Sequence, residues 1–267
     1  MNLQMEQIPD IFTPQGSKKE SWFLEGPQTR RKELVFLFDV LKEFIKGFRT
    51  LHFIGPCVTV FGSARFKEEN YYYEMARQIG QKIAELGFAV MTGGGPGIME
   101  AANRGAKEAG GRSIGCNIIL PKEQKPNKYL DKWVQINYFF VRKILLTKYS
   151  YAFVVMPGGY GTMDEFFEAI TLMQVGKTKR FPVILFGTMY HKQLIEYIRN
   201  MVTQQTINPE DARLFLCTDS VAETIDHINK FAVQGFGLKR RKKMQPFSWL
   251  GERRINSRIA QPIINTD

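Results

Sequence analysis

The sequence predicts an α/β fold built on a single doubly wound parallel sheet, with an added N-terminal helix and a basic C-terminal tail. Three observations predict it. From Cys57 onward, short runs rich in Val, Ile and Phe alternate with longer amphipathic stretches, the pattern of a parallel sheet covered on both faces. Glycine clusters fall where three of those runs end: FGSAR after the first, TGGGPGIME after the second and PGGYGTMDE after the fifth. The length of 267 residues, 44% of them hydrophobic and 24% charged, suffices for one large core with terminal extensions.

Taken in order, residues 1–27 are polar, contain Pro9, Pro14 and Pro27 and show no sustained period, which predicts an irregular arm. A helix is predicted over 28–50. Leu34, Leu37, Phe38, Leu41, Phe44, Ile45 and Phe48 recur at spacings of three and four, so one face is apolar and must cover something. It is expected to pack across the edge of the main domain, with a subunit interface as the alternative. Residues 51–235 read as a Rossmann-like nucleotide-binding domain. Its strands are expected at 57–62, 88–93, 113–119, 133–137, 152–157, 182–187 and 214–218, with helices at 71–86, 98–108, 142–149, 163–175, 190–204 and 221–231. Residues 236–267 form the tail.

Composition excludes several classes. Cys57, Cys116 and Cys217 are odd in number, far apart and without ligand spacing, so neither a disulfide framework nor a zinc site is indicated. They read as buried thiols. The opening MNLQMEQIPDIF carries an acid and a proline where a secretion signal needs a basic start and an apolar run, and no stretch approaches the roughly 18–20 apolar residues of a membrane span. A cytoplasmic protein is expected. The formal charge is +11, but Lys239 to Arg258 holds eight basic residues against Glu252 alone, so +7 of it sits in the tail. The plain reading is a solvated tail; an oligomer contact, a polyanion contact and a role toward substrate phosphate stand beside it. Nucleic acid is not the expected partner.

In open sheets of this kind small molecules bind beyond the carboxyl ends of the strands, and the glycines are placed there. In PGGYGTMDE, Gly158, Gly159 and Gly161 lie between a buried strand and a helix start, where backbone N–H groups and the helix field favour an anion. Thr162 adds a hydroxyl and Glu165 is expected in the first helical turn. The competing reading is structural: Thr followed three residues later by Glu is a capping box that needs no ligand. Asp164 and Glu168 read as stabilising acids near a helix start. Gly62 and Ser63 after the first strand, and Gly94 and Gly95 after the second, extend the same cradle. Glu100 reads as a first-turn acid or a partner for a sugar hydroxyl. G-x-G-x-x-G is not matched, and Gly176 to Thr178, which looks like the end of a P-loop, closes a helix instead of opening one. Arg142 is expected near Glu165 if their preceding strands are neighbours, although alone it reads as a surface charge beside Lys143. His52, His191 and His227 show no catalytic spacing and are expected on surfaces.

PGGYGTMDE, the upstream GGGPGIMEAANRGA and the intervening VRK together resemble the Lonely Guy (LOG) family of phosphoribohydrolases, also labelled possible lysine decarboxylases. The resemblance covers roughly residues 57–231. The signature PGGxGTxxE fixes six identities in nine positions and is matched in full from Pro157 to Glu165. The resemblance implies hydrolysis of the N-glycosidic bond of a purine nucleoside 5′-monophosphate, AMP or an N6-prenylated cytokinin form, to free base and ribose 5-phosphate. It implies Arg142 and Glu165 as the catalytic pair, no metal or other cofactor, and at least a homodimer. Smaller plant-like members carry Met-His before the Arg-Lys pair where this chain has FFVRK, which resembles a longer bacterial branch and leaves the base open. Lys143 and Lys148 read as helix-surface charges, so no lysine stands in a setting for a Schiff base. The alternative is a non-catalytic carrier or sensor of a nucleotide-like ligand, similar to relatives that bind molybdenum cofactor.

Overall fold

The computed structural model describes Glu20, residues 23–119 and residues 125–234. Most of the N-terminal arm and the whole basic tail lie outside the described residues. Helix α1 (Arg30–Leu51) comes first. Then follow β1 (Cys57–Phe61), α2 (Tyr71–Glu85), β2 (Ala89–Thr92), α3 (Ile98–Glu108), β3 (Ser113–Ile118) and β4 (Lys132–Ile136). After β4 come α4 (Phe139–Tyr149), β5 (Ser150–Val155), α5 (Tyr160–Gln174), β6 (Val183–Phe186), α6 (Lys192–Thr203), β7 (Leu216–Thr218) and α7 (Val221–Ile228), which runs on into a π-helical turn, Asn229–Gln234. Among the described residues no helix is long and apolar enough to cross a membrane.

The seven strands form one parallel sheet in the order β4-β3-β2-β1-β5-β6-β7. Alternation along each strand splits the core between two faces. Val58, Val60, Val90 and Val154 pack with Ile79 and Ile83 of α2, Ala101 and Ala102 of α3 and Ile228 of α7. Cys57, Phe61, Met91 and Phe153 pack on the opposite face with Val141 and Leu145 of α4, Phe166 and Met173 of α5 and Ile198 of α6. The chain winds outward from β1 to β4, then returns through α4 to β5 on the other side of β1. The switch point therefore lies between β1 and β5, where such sheets bind ligands.

Helices α2 and α3 cross at two glycines. A Cβ on Gly80 would stand 2.1 Å from the Ala102 carbonyl oxygen, and one on Gly105 only 1.8 Å from that of Arg77. Backbone cannot yield as a side-chain tip does, so Gly105→Ala is expected to cost about 2 kcal/mol of stability, read as a lower denaturant midpoint with unchanged slope.

Three expectations are corrected. Helix α1 packs across the β4 edge of the sheet as expected, but of the predicted stripe only Phe44 is packed there; Phe36, Val40, Gly47 and Leu51 are the other inward residues. Leu34, Leu37, Phe38, Leu41, Ile45 and Phe48 are 38–62% exposed. The helix is apolar around more than half its circumference, so two overlapping stripes fit its period, and the buried one is centred on Phe36 and Val40. His191 is buried, because its N–H bonds to the Gly187 carbonyl and draws the start of α6 under the end of β6. Burial pulls its pKa down to about 4, against a hydrogen bond with the Phe186 backbone. Cys57 and Cys116 are buried thiols as expected, but Cys217 is half-buried, since β7 is the edge strand.

Candidate functional site

The loops after β1, β2 and β5 are knitted into one surface at the carboxyl end of the sheet. Ser63 N–H donates to the Pro157 carbonyl at 3.0 Å, and the Ser63 carbonyl accepts the Ile98 N–H at 3.0 Å. Gly97 has φ +70°, and a Cβ there would lie 2.4 Å from the Ser63 carbonyl oxygen. A side chain at Gly97 is excluded twice, by backbone region and by space. Gly62 is also a close-approach position, since a Cβ on it would meet Ile98 at 2.5 Å.

The TGGGPG loop is held from within. Gly94 N–H donates to Thr92 Oγ1 at 2.9 Å, Thr92 Oγ1 donates to Asn103 Oδ1 at 2.6 Å, and Asn127 Nδ2 reaches Asn103 Oδ1 at 3.0 Å and the Gly95 carbonyl at 3.1 Å. Asn127 N–H also donates to the Gly94 carbonyl. Buried polar groups satisfied in this way fix a loop rigidly. The amide of Gly94 is thus already engaged. Gly94 therefore shapes the crevice wall instead of presenting a free donor.

The PGGYGT loop differs. Helix α5 is capped by Gly159, with no side-chain hydrogen bond at the cap. The Thr162 and Met163 N–H groups fold back on the Gly159 carbonyl, while those of Tyr160 and Gly161 have no acceptor within the helix. A Cβ on Gly159 or Gly161 would meet nothing within 4 Å. The fold therefore does not require glycine at either position, whereas an anion approaching the helix start does. Gly158 is fixed beneath them: its carbonyl accepts the Tyr190 hydroxyl at 2.8 Å, and a Cβ on it would strike Thr162 Oγ1.

Because α5 begins at Tyr160, Thr162 is its third residue and Glu165 belongs to the second turn, not the first. The capping-box reading is overturned: the cap lies three residues before Thr162, and Glu165 is free of that duty. Glu165 is 3% exposed and its Oε2 is buried without a hydrogen-bond partner. Its Oε1 lies 3.9 Å from Arg142 Nη1. Burial lifts the carboxyl to about 7, against the opposing pull of the Arg142 guanidinium.

Arg142 arrives by an unexpected route. Strands β4 and β5 are not neighbours; β3, β2 and β1 lie between them. The guanidinium reaches the crevice because α4 crosses back beneath those strands. Arg142 Nε donates to the Cys116 carbonyl within β3, at 2.9 Å. Its Nη2 lies 2.7 Å from where a Cβ on Gly93 would stand, so the middle glycine loop is bare where the arginine passes. Lys143, on the same helix, sits 2.9 Å from both Asp164 and Glu168 of α5. Burial alone would lower the Lys143 pKa, but these two carboxylates outweigh it and hold the ammonium above the usual range. A Schiff-base lysine needs the opposite shift.

Among the described residues no group of three His, Cys, Asp or Glu side chains is placed to hold a metal ion. Gly176 has φ +70°, and the Gly176 and Lys177 N–H groups cap the last carbonyls of α5. This GKT is therefore a helix stop. Thr92, Asn103, Asn127 and Tyr190 were not found by sequence reasoning. Only Asn103 offered a signal, as a polar residue on the apolar face of α3.

Residues 99–228 match the family described as "Possible lysine decarboxylase", the LOG family. Curated relatives agree with that match. A rice (Oryza sativa subsp. japonica) protein named as a probable cytokinin riboside 5′-monophosphate phosphoribohydrolase is 29% identical, over 65% of this chain and 72% of its own. One from Rhodococcoides fascians, named as a cytokinin riboside 5′-monophosphate phosphoribohydrolase, is 28% identical over 61% and 84%. Over residues 99–228, just under half of its length, the chain resembles the LOG family. A solved structure of a molybdenum cofactor binding protein from Rippkaea orientalis, 23% identical with a TM-score of 0.50, covers 66% of this chain and 97% of its own. A structural-genomics X-ray structure, 24% identical with a TM-score of 0.51, covers 66% and 99%. These two show the shared fold.

Proposed function

We propose that this protein hydrolyses the N-glycosidic bond of a purine nucleoside 5′-monophosphate, AMP or an N6-prenylated form, to free base and ribose 5-phosphate. The observation that carries the reading is Glu165: a buried carboxylate with one unpartnered oxygen, beside Arg142 and beyond the open start of α5. A carrier needs phosphate donors but has no use for such a group. The 5′-phosphate lies against the Tyr160 and Gly161 amides and Thr162. That fixes the ribose so that its anomeric carbon faces Glu165.

The bond from that carbon to the base breaks with its electron pair leaving on the base, through an oxocarbenium-like state. Glu165, ionised, stabilises the positive charge and takes a proton from the water whose oxygen bonds to the anomeric carbon; the departing base takes up a proton from solvent, and Glu165 releases its own to solvent and is ionised again. Arg142 orients the nucleotide and stabilises the departing base. Positioning of this kind lowers the barrier by up to roughly 7–11 kcal/mol where geometry is ideal. The test is to incubate the protein with AMP, its prenylated form and other purine monophosphates and resolve free base by chromatography. Base from any of them supports the reading. Nucleotide bound and recovered intact overturns it in favour of a carrier.

Gly161→Ala separates fold from function. Its backbone is helical and its surroundings open, so the variant is expected to gain about 0.5–1 kcal/mol in stability. Affinity for AMP is expected to fall by about tenfold or more, about 1.4 kcal/mol, as the methyl occupies phosphate space. Paired calorimetry of unfolding and of binding reads both. The open stripe of α1 fits a contact between chains, and light scattering is expected to give a mass of at least two.

A further inference from the structure

We propose that the N-terminal segment is a clamp that sets the position of Arg142, with Glu43 as its principal positioning residue. The consequence for turnover rests on the glycosidase reading; the geometry does not. Arg142 lies one turn into α4, with its N–H bonded to the Tyr138 carbonyl, so its place follows from the β4–α4 turn. That turn is gripped from outside the sheet. Glu43 of α1 accepts the Asn137 N–H at 3.0 Å through one oxygen and Asn137 Nδ2 at 2.7 Å through the other. Glu20 accepts the Phe139 N–H, at 3.0 and 3.3 Å from its two oxygens. Lys46 donates to the Gln135 carbonyl.

Apolar contacts reinforce the grip. Phe36 meets the buried Tyr138 ring edge-on at 5.2 Å. Gly47 lets α1 cross α4 so closely that a Cβ would stand 2.4 Å from Leu145. Helix α4 has no side-chain cap of its own; Glu20 caps its first N–H, Glu43 holds the residue before the N-cap, and the two negative charges suit a helix start.

Loosening the clamp draws Arg142 away from Glu165. The charged and titratable groups around that carboxylate are Arg142 and Lys143 of α4, Asp164 and Glu168 of its own helix, and Cys116 of β3. Arg142 is the chief restraint on its proton affinity. In the full chain, Glu43→Ala is therefore expected to raise the Glu165 pKa, followed by 13C NMR of glutamate carboxyls with Glu165→Gln assigning the resonance. Its kcat on AMP is expected to fall about tenfold or more, with KM within about twofold. Glu43→Gln, which keeps one acceptor for the Asn137 N–H, is expected to recover most of both. If Glu43→Ala does not fold, Asn137→Ala, which removes only the side-chain half of the contact, carries the same comparison. A folded variant with unchanged Glu165 titration and unchanged kcat overturns the clamp. If the wild type releases no base, the glycosidase reading falls, and the NMR titration still decides the clamp.

Discussion

Glu165→Gln is expected to lower base release from AMP by about a thousandfold, roughly 4 kcal/mol of barrier, while the protein still folds and binds the nucleotide. The amide keeps the shape of the carboxyl but neither takes the proton of water nor offsets charge at the anomeric carbon. In the wild type, kcat/KM is expected to climb as pH rises through about 7, because burial holds Glu165 protonated below that point and the ionised form is the working one. Stability moves the other way. The Glu165 pKa is raised above its ordinary 4.5 in the folded state, so its contribution is fully present below about 4.5 and is lost as pH rises through about 7. Glutamine has no such loss. The stability of the variant relative to wild type is thus expected to improve with rising pH by on the order of 3 kcal/mol. A denaturant series at pH 5 and pH 8 reads it. An inactive variant that is more stable at high pH identifies a residue kept for chemistry at a cost to the fold.

Arg142→Lys is expected to reduce kcat/KM about a hundredfold, although charge is conserved. The guanidinium does two things at once: Nε holds the Cys116 carbonyl at 2.9 Å while Nη1 stands 3.9 Å from Glu165. A single ammonium cannot occupy both positions. If it satisfies the buried carbonyl, it leaves the carboxylate, and the pH at which activity rises moves upward. If it follows the carboxylate, the Cys116 carbonyl loses its contact with this side chain. Steady-state rates across pH distinguish the first outcome from the second, since only the first displaces the limb.

The fold was legible because parallel strands buried on both faces are nearly continuous apolar runs; β1, β2, β5 and β6 lie where such runs end in glycine or proline. The site was legible in part. PGGYGTMDE and Arg142 carry local signals, but their meeting depends on α4 crossing back from β4 at the sheet edge to β5, which no local pattern encodes. The spacing of Thr162 and Glu165 was open to two readings, and the cap at Gly159 decides between them. Asn127 joins Gly95 and Asn103 across more than twenty residues, so its role appears only in three dimensions. The two stripes of α1 show the limit of periodicity: it says that a face is apolar, not which of two overlapping faces the neighbours choose.

Quantifying base and ribose 5-phosphate released from AMP, beside the same protein given adenosine, tests the central claim most directly. The expected result is equal amounts of the two products from AMP and little from adenosine, because the 5′-phosphate on the α5 start is what places the anomeric carbon at Glu165. Equal rates from AMP and adenosine, or AMP recovered intact after binding, would contradict it.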